Sequence, residues 1–117
     1  MLEQIRHRLT EISCDVFIST YRTHRRYLTG FTGTAGLVWI SHDSQILITD
    51  FRYTEQAGEQ SPGWEIVVQQ TTMEDAVAQL VDKYKVRRIA FESEYVTVDQ
   101  LAKWQEQFAE VEFVPTK

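Results

Sequence analysis

This chain of 117 residues contains a single cysteine, Cys14. No internal disulfide can form, so nothing in it implies an oxidising, exported setting. Long apolar runs are missing too: the longest are four or five residues, against the ~20 that cross a bilayer. The opening "MLEQIRHRLTEI" mixes charged with apolar residues and lacks the uninterrupted apolar stretch of a signal peptide. Positive charge is also short, with a net charge of -5, which argues against broad nucleic-acid binding. The expectation is a cytoplasmic protein with neither membrane nor nucleic acid among its partners.

Motifs for independent chemistry are equally scarce. His7, His24 and His42 are scattered without metal-ligand spacing, and Cys14 has no cysteine or histidine partner nearby in sequence. No serine lies in a Gly-x-Ser-x-Gly elbow, and Cys14 reads as an inert buried thiol. Glycine is sparse, but three of the five, Gly30, Gly33 and Gly36, sit together in "YLTGFTGTAG". No Gly-Lys-Ser/Thr follows, the spacing is not that of a dinucleotide fingerprint, and the stretch precedes a strand instead of opening a helix. These glycines therefore read as turn-forming, permitting positive φ or close backbone approach. Tyr27 and Phe31 read as core anchors of that turn.

What is present is an ordinary globular composition, 43% hydrophobic and 25% charged, in a chain of single-domain size. Leu2, Ile5, Leu9 and Ile12 recur at helical spacing. "DVFIST" reads as a buried strand, and "GLVWIS" and "QILITD", joined by His42-Asp43-Ser44, as an antiparallel hairpin. "FRYTEQAGEQ" reads as a short helix stopped by Ser61-Pro62-Gly63, followed by the strand "WEIVVQ". Thr71 with Glu74, and Thr97 with Gln100, have capping-box spacing ahead of two amphipathic helices. "RRIAFES" and "VEFVPT" are the strands between and after them, the last weakened by Pro115. Strands alternating with helices, plus one early antiparallel hairpin, predict a single α/β domain with a mixed β-sheet flanked by helices.

Two stretches stand out as candidate recognition elements. "YRTHRRY", Tyr21 to Tyr27, places three arginines beside aromatic rings. It reads as a solvated basic turn attracting an acidic neighbour; a grip on single-stranded nucleic acid lacks a second basic or aromatic element. "TDFRYTEQA" runs a strand into Asp50, so Arg52 emerges at a strand's C-terminal end. There it either reaches a ligand or partner carboxylate or pairs with Asp50. Asp50, Glu92 and Glu94 all lie at apparent strand ends, where α/β sheets place functional groups, yet surface carboxylates are common.

Taken together, "RYLTGFTGTAG" and "LITDFRYTEQA", separated by a hydrophobic hairpin, resemble the N-terminal domain of the creatinase/prolidase family. More narrowly, the chain is similar to bacterial Xaa-Pro dipeptidases and aminopeptidase P proteins. The family pattern runs Arg-Tyr-Leu-Thr-Gly-Phe-Thr-Gly-Ser-Ala-Gly, a hairpin, then Thr-Asp-Gly-Arg-Tyr and a helix containing Gln-Ala. Arg26 to Gly36 match with Thr34 in the serine place, and Thr49, Asp50, Arg52, Tyr53, Gln56 and Ala57 match the second block. The chain departs in carrying Phe51 for glycine. It also carries Arg22 and His24 where members commonly have the proline and asparagine of Ser-Pro-Glu-Asn.

The resemblance implies a ribonuclease-H-like α/β domain over residues 1–117, preceding a C-terminal "pita-bread" catalytic domain not contained in these residues. In the family that catalytic domain holds two divalent metal ions, often manganese, through two aspartates, a histidine and two glutamates. The resemblance also implies that the segment alone is inactive and holds no cofactor or metal. It implies a homo-oligomer, dimer or tetramer, acting on proline-containing peptides, with this domain governing assembly and substrate access. Arg52 and Tyr53 are then the candidate substrate-binding residues, reaching across a subunit interface. Two alternatives stay open: a free-standing peptide or small-molecule binding module, and the N-terminal domain of a creatinase-like amidinohydrolase.

Overall fold

The computed structural model describes residues 2–116. Alternation of side chains organises the sheet. Val16, Ile18, Leu37, Trp39, Ile46, Ile48, Ile89 and Phe91 point to one face and join a single large core. Phe17, Leu47 and Ala90 point to the other, as the two-residue period of a strand requires. Burial on both faces makes the strands β2 (Leu37–Ser41), β3 (Gln45–Thr49) and β5 (Arg88–Glu92) nearly continuous apolar runs.

With β1 (Val16–Ser19), β4 (Glu65–Val68) and β6 (Glu112–Thr116), these strands form a six-stranded sheet of order β4-β3-β2-β1-β5-β6. β2 runs antiparallel to both neighbours, and the other pairings are parallel. This is the expected mixed sheet with an early hairpin, in the ribonuclease-H-like arrangement. Pro115, opposite Phe91, is tolerated because β6 is an edge strand.

Helix α4 (Met73–Tyr84) and α5 (Val98–Gln107) cover the large core through Val77, Leu80 and Trp104. α1 (Leu2–Glu11) and α3 (Thr54–Gln60) cover the opposite face through Leu9 and Ala57. Arg6 fastens α1 to the hairpin turn, donating to the carbonyls of Ser41 at 2.8 Å and Ser44 at 3.0 Å. Thr97 caps α5 as expected, accepting from the Gln100 amide. The cap of α4 lies one residue later than the spacing predicts: Thr72 accepts from the Asp75 amide at 3.1 Å. Thr71 and Thr72 are adjacent and both can cap, and the acidic residue three positions on exists for either.

The basic stretch is a helix, not a turn: α2 spans Arg22–Thr29. It has no side-chain N-cap bond and no acidic residue in its first turn, so the usual start signals are absent. It ends at Gly30, whose φ of 81° is the left-handed closure that glycine permits.

Candidate functional site

Because only β2 reverses, the C-terminal ends of five strands share one rim of the sheet. Both sequence motifs meet there. The glycine loop, running from α2 to β2, is organised by Arg25. This arginine is 2% exposed, and its guanidinium donates to the carbonyls of Thr20 (3.2 Å), Gly36 (3.0 Å) and Gly33 (2.9 Å). Burial without a carboxylate partner pushes its pKa down. Arg25 is thus a structural cation inside the loop, a role the reading of this stretch as a solvated turn missed; only the helical period of Arg25 with Thr29 could have hinted at it.

All three turn glycines answer to space, Gly30 because a Cβ there would stand 2.8 Å from the Gln60 carbonyl oxygen. A Cβ on Gly33 would stand 2.2 Å from the Phe31 ring, and one on Gly36 would stand 3.0 Å from Arg25. Gly30 alone among them needs positive φ. Phe31 is fully buried against Leu47 and Ala57, as expected of a core anchor. Tyr27 is 71% exposed and anchors nothing in the core; it lies two positions after Arg25, so the helix turns it outward.

The second motif locks onto the first. Thr49 donates to the Ala35 carbonyl at 2.7 Å. Gln56 donates to the Thr32 hydroxyl, and the Thr32 amide donates to Gln60. Tyr53 and Thr34 share a hydrogen bond of 2.6 Å, which lowers the tyrosine pKa.

Asp50 caps the short 3-10 turn Phe51–Tyr53 by accepting from the Arg52 amide. It also accepts from Arg52 Nε at 3.1 Å and Nη2 at 2.7 Å. The hydrogen bonds from Arg52 hold the Asp50 carboxyl below the ordinary carboxylate range, and Asp50 in turn raises the Arg52 pKa. Of the two readings open for Arg52, local pairing is therefore realised. The pairing leaves part of the guanidinium unused. Asp50 takes the Nε–Nη2 edge; the Nη1–Nη2 edge has no further partner among the described residues, on a side chain 61% exposed and set 5.2 Å from the Tyr53 ring. That edge is the fork a carboxylate accepts in bidentate fashion.

Farther along the rim, Glu92 accepts from Ser19 and pairs with His24. Tyr21 and Tyr95 stack at 3.8 Å with His24 edge-on to both. His24 thus ties α2 to the end of β5. Glu94 is exposed in the turn that follows. Among the described residues no group of three or more His, Cys, Asp or Glu side chains gathers that could hold a metal ion. Cys14 is buried and desolvation raises its pKa, keeping it a thiol.

The creatinase/prolidase N-terminal domain pattern matches residues 1–117. The chain belongs to that family. An uncharacterized peptidase of Bacillus subtilis, YqhT, is 38% identical over 114 residues, covering 97% of this chain and 32% of its own length. Among solved structures, a Xaa-Pro dipeptidase from Bacillus anthracis superposes with a TM-score of 0.92 at 37% identity, covering 99% of this chain and 32% of that one. The N-terminal domain of the peptidase PepQ from Mycobacterium tuberculosis gives 0.87 at 26% identity, covering 99% and 92%. The chain thus spans about a third of the length of the full-length relatives it matches, and corresponds to their N-terminal domain.

Proposed function

We propose that this domain is the non-catalytic N-terminal part of a proline-specific metallopeptidase of the Xaa-Pro dipeptidase or aminopeptidase P type. It packs between subunits of a homo-oligomer and presents Arg52 and Tyr53 at a partner subunit's active site. Hydrolysis, and the two metal ions the family resemblance implies, belong to a catalytic domain outside these residues. The described side chains bring no metal-binding group together, and no step is assigned to them.

The observation that carries this reading is the state of Arg52. Asp50 fixes the guanidinium by one edge and leaves the other without a partner among the described residues, on an exposed side chain. A substrate or peptide carboxylate meeting that edge finds a donor pair already oriented, so less side-chain entropy is lost on binding. Asp50 also neutralises part of the charge, which favours a close, geometrically matched carboxylate over long-range attraction of any anion. Tyr53, held by Thr34, forms the wall of the same rim.

In the full-length protein, Arg52→Ala should lower kcat/KM for Xaa-Pro substrates about tenfold or more, the scale of one charge-assisted contact. Metal content should stay at its wild-type level. Wild-type kinetics in that variant would remove Arg52 from the site.

A further inference from the structure

Between α4, α5 and the sheet lies a cavity of about 230 Å³ that adjoins the rim just described through Thr20 and Tyr95. Domain interiors leave few voids larger than a water molecule, and an apolar cavity of about 150 Å³ stays dry and accepts benzene. Ile18, Leu37, Val77, Trp104 and Phe113 line it, and the first four are at most 5% exposed. Its floor is therefore the hydrophobic core itself. Among the described residues, the single hydrogen bond between α4 and α5 is Gln107 to Asp75 at 3.5 Å.

The mouth has a different chemistry. Thr20, Glu74, Thr97 and Gln100 supply polar groups to the lining, and Glu74 also borders the adjoining surface cleft. Glu74, half-buried in the first turn of α4, has no hydrogen-bond or ion-pair partner among the described residues. The adjoining cleft between the helices adds Lys103 and Glu106 to Glu74, two carboxylates to one ammonium. The opening is therefore negative.

We propose that this cavity binds a small organic cation, with an apolar body of aromatic-ring size inside and a primary ammonium at Glu74. The walls supply hydrophobic burial and the mouth supplies one counter-charge with hydroxyl and amide acceptors beside it, the usual division of labour in a small-molecule pocket. The site is independent of Arg52 and of the peptidase reading.

The test uses the 117-residue chain and three probes of one shape: 2-phenylethylamine, phenylacetate and toluene. NMR shifts of the Trp104 indole N–H and the Val77 and Ile18 methyl groups follow binding. Saturable shifts with phenylethylamine at least tenfold tighter than with phenylacetate are expected. Glu74→Gln should bring the two within about threefold of each other, and Val77→Phe, which fills the cavity, should abolish binding of all three. Absence of saturable shifts, equal affinity for the amine and the acid in the unaltered chain, or amine preference surviving Glu74→Gln would each overturn the proposal. Should Val77→Phe fail to fold, the Glu74→Gln comparison still decides.

Discussion

The glycine-loop corner and the α4–α5 face are built on opposite principles. At the corner, one buried arginine, three side-chain hydrogen bonds between the two motifs, further ones between Thr32 and Gln60, and glycines with no room for a methyl group specify the backbone. On the α4–α5 face, Val77, Leu80, Trp104 and Phe108 meet the sheet through apolar contact alone and leave a cavity. Hydrogen bonds demand geometry, whereas apolar contact demands only approximate volume. The corner is therefore the rigid base on which Arg52 is aimed, and the α4–α5 face is the part with room to adjust.

The sharpest break in that contrast is Arg25→Ala. It leaves the carbonyls of Thr20, Gly33 and Gly36 without their donor, and each buried orphan costs on the order of 1–3 kcal/mol. A total loss of about 3 kcal/mol or more is expected in urea unfolding at 25 °C. A loss under about 1 kcal/mol would mean that water replaces the guanidinium and that the corner is not organised by it. Next comes Gly33→Ala, whose methyl meets a Phe31 ring that has nowhere to go. Overpacking of this kind costs about 1–3 kcal/mol. Gly58→Ala, with nothing within 4 Å of the added carbon and a place in α3, should instead stabilise by about 0.5–1 kcal/mol. If both glycine variants move the melting midpoint in the same direction, steric crowding at the corner is refuted.

Enlarging a side chain on the other face should have the reverse sign. Val77 borders the cavity, so Val77→Leu extends into empty space and is expected to gain about 0.5–1 kcal/mol, the range of cavity-filling changes. Destabilisation by this variant would show that the face is as tightly specified as the corner.

The same contrast explains what could be read from the sequence. Strands β1 to β6 and helices α1, α3, α4 and α5 announce themselves because burial imposes a two- or 3.6-residue period that survives in the order of residues. Helix α2 does not, because its inward side is carried by Arg25 and Thr29, and a hydropathy pattern scores both as outward. Tyr27 differs from its expected place for the related reason that an aromatic ring beside a glycine turn suggests burial, while the helix period directs it to solvent. The partnership of Arg52 with Asp50 was visible as a possibility from their spacing of two. Choosing it required the 3-10 turn that brings two of the three guanidinium nitrogens onto one carboxylate. Thr34 with Tyr53, and Glu92 with Ser19 and His24, join residues 19 to 73 apart, and no local pattern carries such a pairing.

The smallest expected effect tests whether the corner's rigidity extends to its exposed tip. Asp50 accepts three bonds from Arg52, and the side-chain bonds lower its pKa below the ordinary value. A carboxyl whose pKa is depressed by folding adds stability that is complete above its unfolded pKa, about 3.9. That contribution is lost as pH falls through the lower folded value. Melting temperature should therefore decline below about pH 4 by an increment that Asp50→Asn removes, while the two proteins run parallel between about pH 5 and 8. Because the pair lies at the surface, added salt should shrink that increment. An acid limb identical in the two proteins would mean that Asp50 exerts no hold on Arg52 in solution, and that the second guanidinium edge is presented by a mobile side chain.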